Sequence, residues 1–113
     1  MRAGELDRRI TIQRPVTRED PLYGPQPGGW ENFAERVPAR VRDVLPSNAE
    51  AIQGGLASAA RPAQVRIRYM RGISTDMRVI VHREVDELYQ IKGGPAEIGR
   101  GEWTEFTIEA YTT

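Results

Sequence analysis

The 113-residue sequence predicts a mainly β protein: a small antiparallel β-barrel or sandwich of about six strands, with one short α-helix and long loops. Apolar residues recur at every second position in several segments, which is typical of strands with one buried face. Clusters of glycine, proline and small polar residues separate these segments and mark turns. The length indicates a single domain over residues 1–113, because most domains contain about 100–150 residues.

The first two strands are predicted on either side of a proline-rich segment. Ile10 and Ile12 share one face of a strand over residues 8–16, and Pro15 marks its end or an edge because proline cannot donate to a ladder. A second strand is predicted over residues 30–43, where Val37, Ala39 and Val41 alternate with polar residues or proline.

Residues 17–29 between these strands contain three prolines and three glycines and show no periodicity, so we predict a long loop. Loops of about a dozen residues inside a compact domain are usually functional or disordered. Two interpretations stay open. The segment is either a surface loop or an arm that becomes ordered against a neighbouring molecule.

A short helix is predicted over residues 48–60. Ser47 and Glu50 have the spacing of a capping box, and alanine-rich sequence follows them. Gly54-Gly55 weakens this helix by about 1 kcal/mol per glycine relative to alanine. Pro62 ends it, because proline disfavours helical backbone at the preceding residue.

The segment from 61 to 81 predicts a β-hairpin around which the rest of the chain is organised. Val65, Ile67 and Tyr69 form its apolar face. Residues 72–76 supply turn-forming side chains, and residues 77–81 begin a second apolar run. Two such runs joined by a short connection favour antiparallel pairing with each other.

Two further strands complete the predicted sheet. One begins at Leu88 and ends at the turn Gly93-Gly94-Pro95. The last covers residues 103–111 and places Phe106, Ile108 and Ala110 on one face.

Composition excludes several classes of protein. Sixteen basic residues balance sixteen acidic ones, which argues against binding nucleic acid by bulk charge. The absence of cysteine excludes disulfides and cysteine-based metal sites. No apolar run approaches the roughly 20 residues of a membrane span, and the first residues lack the apolar core of a signal peptide. We therefore expect an intracellular product without membrane contact.

No residue pattern predicts an enzyme or a cofactor. His82 is the sole histidine, and a Ser–His–Asp type of site would have to include it. Its position in a polar segment favours a solvated surface histidine. Glu84, Asp86 and Glu87 nearby are interpreted as a solvated charge run, with a divalent-ion site as the alternative.

Arginine supplies the strongest charge feature. Arg66 and Arg68 lie on the face of the hairpin opposite the apolar residues. Three interpretations remain open: a solvent face balanced by Glu105 and Glu109 on a neighbouring strand, an interface between subunits, or a face toward nucleic acid. The candidate interface residues are Arg66, Arg68, Arg71, Arg78, Tyr23 and Trp30.

An ordered series of short motifs resembles the tailed-phage head–tail joining proteins, also called head-completion, stopper or adaptor proteins. The opening residues 1–16, M-R-A-G-E-L-D-R-R-I-T-I-Q-R-P-V, carry the first part of this resemblance. The later parts are Gly28-Gly29-Trp30, Ala39-Arg40-Val41, Glu50, V-R-I-R-Y at 65–69, Gly72-Ile73, M-R-V at 77–79 and Y-Q-I at 89–91. The sequence departs from the family pattern before and inside the predicted helix and after residue 91.

The resemblance implies a small barrel or sandwich that assembles into a homo-oligomeric ring of roughly six or twelve copies. It implies a place at the head–tail interface of a virion made in the bacterial cytoplasm. The implied partners are a portal or adaptor ring above, a tail terminator or tail tube below, and packaged DNA in the channel. Gene transfer agents share this family. Two alternatives are a tail-terminator or tail-tube protein, and a nucleic-acid-binding module using Arg66, Arg68, Tyr69 and Trp103.

Overall fold

A computed structural model describes residues 5–44 and 62–110. Six strands occupy most of this part of the chain, which confirms the predicted class and strand number. Their bounds are β1 Arg8–Asp20, β2 Gly24–Asp43, β3 Pro62–Arg68, β4 Arg78–His82, β5 Glu87–Ile98 and β6 Trp103–Ala110.

The strands form a closed antiparallel barrel in the order β1-β2-β3-β6-β5-β4. Closure removes most sheet edges and encloses one core of inward-facing side chains. The largest fully buried members of this core are Tyr89, Phe106, Ile10, Ile12, Ile67, Ile91, Ile108, Val65, Val79 and Val81. The alternation seen in the sequence therefore places these residues inside the barrel.

β1 and β2 are longer than predicted, and the predicted loop over residues 17–29 is wrong. Residues Thr17–Asp20 pair with Gly24–Pro27, so most of the segment is a tight β-hairpin. Proline and glycine obscured this in the sequence because they break the alternation of apolar side chains. After Gln13, β1 pairs with β2 alone, and the residues of β2 opposite it pair with β1 alone. Residues 14–31 therefore project from the barrel as a two-stranded ribbon, called the arm below.

The hairpin predicted between β3 and β4 is also wrong. β3 pairs with β2 and β6, whereas β4 pairs with β1 and β5. The connection over residues 69–77 instead crosses one end of the barrel, and it buries Ile73 and Met77. Tyr69 was expected inside, but it lies past the end of β3 and is 38% exposed, because the alternation stops at Arg68.

β5 and β6 form a hairpin in which β5 continues through the predicted turn at residues 93–95 to Ile98. Register shifts flank Gly93, which shows that irregular pairing allows the strand to continue through glycine and proline. On β6, Phe106 and Ile108 are buried and Ala110 packs against the core, as predicted.

The predicted helix over residues 48–60 lies outside the described residues. Within residues 5–44 and 62–110, the structure contains no helix long and apolar enough to cross a membrane.

Candidate interface surfaces

The base of the arm is attached to the barrel by a row of polar contacts. The guanidinium of Arg78 on β4 lies 4.3 Å from the ring centroid of Trp30 on β2, and its Nε donates to Gln13 Oε1 at 2.7 Å. Gln13 donates in turn to Asn32, which donates to Glu35. A cation–π contact contributes about 0.5–1 kcal/mol at such a site, so this row orients the arm relative to the barrel.

The tip of the arm exposes two large apolar side chains, Leu22 at 84% and Tyr23 at 76%. The turn that presents them is ordered by its own hydrogen bonds. Asp20 Oδ1 accepts from the backbone N–H groups of both residues, at 2.8 and 3.2 Å. Gln26 Nε2 donates to the carbonyl of Tyr23. Exposed apolar side chains on an ordered turn are suited to contact another molecule.

An open groove of about 440 Å³ runs along one side of the arm. Pro15, Val16, Pro25, Pro27 and Trp30 give it a mainly apolar lining. The arm therefore has apolar surface along its length as well as at its tip.

Arg66 contacts one of the two carboxylates that the sequence suggested. Its Nε and Nη2 both donate to Glu105 Oε2, at 2.8 and 2.6 Å, and both side chains are largely buried. Glu109 lies opposite Pro62 instead. Arg66 is therefore engaged within the subunit, in the way that the solvent-face interpretation required.

Arg68 and Arg71 remain exposed near the end of the barrel where β3 leaves it. Arg71 Nε donates to the hydroxyl of Tyr69 at 3.2 Å. That hydrogen bond raises the pKa of Arg71 above its ordinary value. Arginine is charged at physiological pH with or without this contact. These two residues and Tyr23 are predicted interface residues that face solvent, and Trp30, 37% exposed, also reaches the surface beside Arg78.

Sequence reasoning missed Arg40 and Arg42, which extend the arginine row onto β2. Arg40 lies directly opposite Arg66, and Arg42 opposite Gln64. We call Arg40, Arg42, Arg66 and Arg68 the outer arginine patch. The signal was present, because Arg40 and Arg42 alternate with Ala39 and Val41. That Arg40 and Arg42 lie beside the arginine row of β3 becomes evident only from the pairing of β2 with β3.

His82 is not the solvated histidine predicted. It ends β4 with its side chain 17% exposed, and Nε2 lies 2.7 Å from Thr11 Oγ1. Nδ1 lies 3.1 Å from Asp86 Oδ1, so the imidazole joins a hydroxyl to a carboxylate. Thr11 is buried, and its oxygen also accepts from the backbone N–H of Arg36. This chain of contacts connects β1, β2, β4 and the turn after β4, which gives it a structural role.

Two of the three acidic residues in this segment have partners of their own. Asp86 contacts His82, and Glu87 pairs with Arg83 at 3.1 Å. Among the residues that the structure describes, no group of three histidine, cysteine or acidic side chains is placed to hold a metal ion.

The fold and these surfaces define a small barrel protein with an ordered arm and an arginine patch on its outer surface. The chain belongs to the phage head completion protein family, whose model matches residues 1–110. Membership supports a structural role in the phage head and a place in the virion. It also carries an expectation of interaction with other head and tail components.

A solved structure agrees with this fold. The solution structure of protein SF1141 from Shigella flexneri 2a is similar to the chain, with a TM-score of 0.71 and 27% sequence identity. The match covers 97% of this chain and 96% of that one. None of the curated proteins compared with the chain matches it.

Proposed function

We propose that the chain is a structural ring component of the head–tail connector of a tailed phage or gene transfer agent. Copies join the portal or adaptor side to the tail terminator or tail tube and help to retain packaged DNA in the channel. Membership of the phage head completion family supports a structural role of this kind.

The arm is the observation that carries the proposal. A barrel that acted alone would have no use for a ribbon of 18 residues, numbered 14–31, that contributes no fully buried side chain. The contacts of Arg78 with Trp30 and Gln13 orient this ribbon, and its turn presents Leu22 and Tyr23 to solvent. A rigid projection ending in apolar side chains is suited to a groove on an adjacent ring.

The six predicted interface residues divide into two roles in this proposal. Tyr23, Arg68 and Arg71 are exposed and contact partners. The other three shape the subunit: Arg66 pairs with Glu105, and Arg78 contacts Trp30. Arginine suits the first role because its planar guanidinium pairs with carboxylates and phosphates.

A shortened chain tests the role of the arm. Deleting residues 17–27 leaves Val16, Gly28 and Gly29 to connect the paired residues Pro15 and Trp30. A three-residue connection with glycine is compatible with a β-hairpin. We expect the barrel to fold, measured by circular dichroism, and particles carrying the variant to show filled heads without tails, or heads that lose DNA.

A second variant separates the tip of the arm from the rest of it. A variant with Leu22 and Tyr23 both changed to serine keeps the arm and removes only its apolar tip, and we expect the same defect in joining. Particles that form normally without the chain would refute the proposed function. A deletion that unfolds the barrel would show instead that the arm is needed for folding.

A further inference from the structure

We propose that the outer arginine patch binds the phosphate backbone of a DNA duplex, independently of base sequence. This assignment rests on the proposed function, because it names the side of the barrel that faces packaged DNA. In a ring of copies, the outer surface of β2 and β3 then lines the channel. Sixteen basic residues balance sixteen acidic ones in the whole chain, so the contact depends on where the charges lie.

The outer arginine patch forms one continuous row. Its members alternate with core residues of β2 and β3, so all of them point away from the core. Arg42 lies opposite Gln64, and Arg68 follows four residues later on β3, so the row is about 14 Å long. A DNA duplex presents about eight phosphate charges over that length. The row therefore suits a ligand that carries many closely and regularly spaced negative charges.

The positive charge of this row is only partly balanced within the subunit. Arg40 and Arg66 are directly opposite on neighbouring strands, an arrangement that destabilises a sheet when both side chains carry the same charge. Glu105 pairs with Arg66. Among the residues that the structure describes, Arg40, Arg42 and Arg68 form no ion pair, and Nε of Arg40 is buried without a hydrogen-bond partner. A bound phosphate would supply a counter-charge and a hydrogen-bond acceptor.

Acidic groups lie near one end of the row, beside Arg42. Asp43 at the end of β2 pairs with Arg83 at 3.5 Å, so this carboxylate already has a counter-charge within the subunit. Glu84 follows Arg83 and is exposed, and it lowers the positive potential at this end. The unbalanced positive charge is therefore that of Arg40 and Arg68. Every guanidinium of the row also keeps N–H groups for a phosphate, because each has five donors.

Binding of DNA by the purified full chain tests the proposal. A fluorescent duplex is titrated with the chain at low salt, and binding is measured by fluorescence anisotropy. We expect equal affinity for two duplexes of unrelated sequence, because contacts to phosphate carry no base information. The affinity should fall with salt, with a slope of log K against log salt concentration of about −3 for three phosphate contacts.

Two double variants of equal charge separate the patch from net charge. Arg40→Gln with Arg68→Gln should weaken binding at least about tenfold and make the salt slope shallower by about 2, one for each lost phosphate contact. Arg18→Gln with Arg100→Gln is the matched control, because it removes the same charge from exposed positions in the arm and in the β5–β6 turn. The control should bind DNA as the natural chain does. Equal losses in both variants would mean that net charge binds DNA, and the proposal would be wrong.

A third variant avoids the partly buried Arg40. Arg42 and Arg68 are both exposed, so Arg42→Gln with Arg68→Gln should keep the fold, as checked by circular dichroism. It should weaken binding at least about fivefold. A folded variant that binds the duplex as tightly as the natural chain would overturn the proposal. If poly-glutamate displaces the duplex at equal charge concentration, the patch binds carboxylates of a protein partner instead, and the proposal is wrong.

The outcome for the patch is distinguishable from the outcome for the ring. A natural chain that does not bind the duplex at low salt would overturn the assignment of the patch, and a joining defect of the arm variants would still support the proposed function. Normal particle assembly without the chain would refute the proposed function, and loss of DNA binding in the patch variants alone would still support a phosphate site at the patch.

Discussion

The two halves of β1 differ although the strand is continuous. From Arg9 to Gln13 it is paired on both sides, with β2 and β4, and Ile10 and Ile12 are fully buried. From Arg14 to Asp20 it is paired with β2 alone, and no side chain is fully buried. Both halves are therefore paired as strands, but only the half inside the closed barrel has fully buried side chains.

The barrel and the arm therefore differ in what they contribute: the barrel supplies the folding stability, and the arm is the part proposed to contact other molecules. The barrel gains free energy from apolar surface removed from water, at about 25 cal/mol per Å². The arm lacks that gain and depends on its base contacts and its turn. Its strands have open edges, and Pro15, Pro25 and Pro27 on these edges disfavour pairing with another strand. In the proposed function, the arm therefore contacts its partner through side chains rather than by adding a strand.

The largest expected effect contrasts a core residue with a tip residue. Phe106→Ala should lower the free energy of unfolding by about 3–5 kcal/mol, because Phe106 is 2% exposed and its loss leaves a cavity. Tyr23→Ala should change it by less than about 0.5 kcal/mol. Urea unfolding followed by circular dichroism measures both. Equal losses would mean that the arm shares the stability of the barrel.

Two glycines with positive φ provide a sharper contrast. A Cβ at Gly94, φ +88°, would lie 3.0 Å from the carbonyl oxygen of Glu105, whereas a Cβ at Gly24, φ +74°, would meet nothing within 4 Å. Gly94→Ala should cost about 2–4 kcal/mol from backbone strain plus crowding. Gly24→Ala should cost about 1 kcal/mol from strain alone. The midpoint of urea unfolding compares the two, and a reversed order would contradict the geometry.

The smallest effect concerns the attachment of the arm. Arg78→Met should remove the contact with Trp30 and the hydrogen bond to Gln13, at a cost of about 1 kcal/mol. In a Trp103→Phe background the fluorescence of Trp30 should shift toward that of an exposed indole, and amide exchange should rise in the arm. Arg14→Met, which affects only the exposed pair with Glu31, is the control. Unchanged Trp30 fluorescence in Arg78→Met would exclude a bracing role.

Alternation in the sequence was sufficient to predict the number of strands and most of the core. Ile10, Ile12, Val65, Ile67 and Phe106 are buried as their spacing indicated. The strand pairing within the arm escaped prediction because prolines and glycines carry no alternating apolar side chains, even though they pair as strand residues. Tyr69 continued the alternation past the end of β3, where pairing had stopped.

Partners in the sheet could not be predicted in the same way. The short connection between β3 and β4 favoured a local hairpin, but each strand pairs with two others distant in the sequence. Only that arrangement closes the barrel and buries the apolar faces of all six strands together. The same arrangement placed Arg40 beside Arg66 and Glu105 beside Arg66 from its other side.

The sequence by itself determined the fold class, the strand number, the inward-facing residues and the resemblance to phage joining proteins, because each depends on local pattern or on the order of motifs. Tertiary structure decided which strands are neighbours, that residues 14–31 form a braced arm, and that Arg66 and Arg78 are engaged while Arg68 and Arg71 face solvent. The reason is physical: alternation specifies which side of a strand is buried, whereas pairing depends on how all the strands close together.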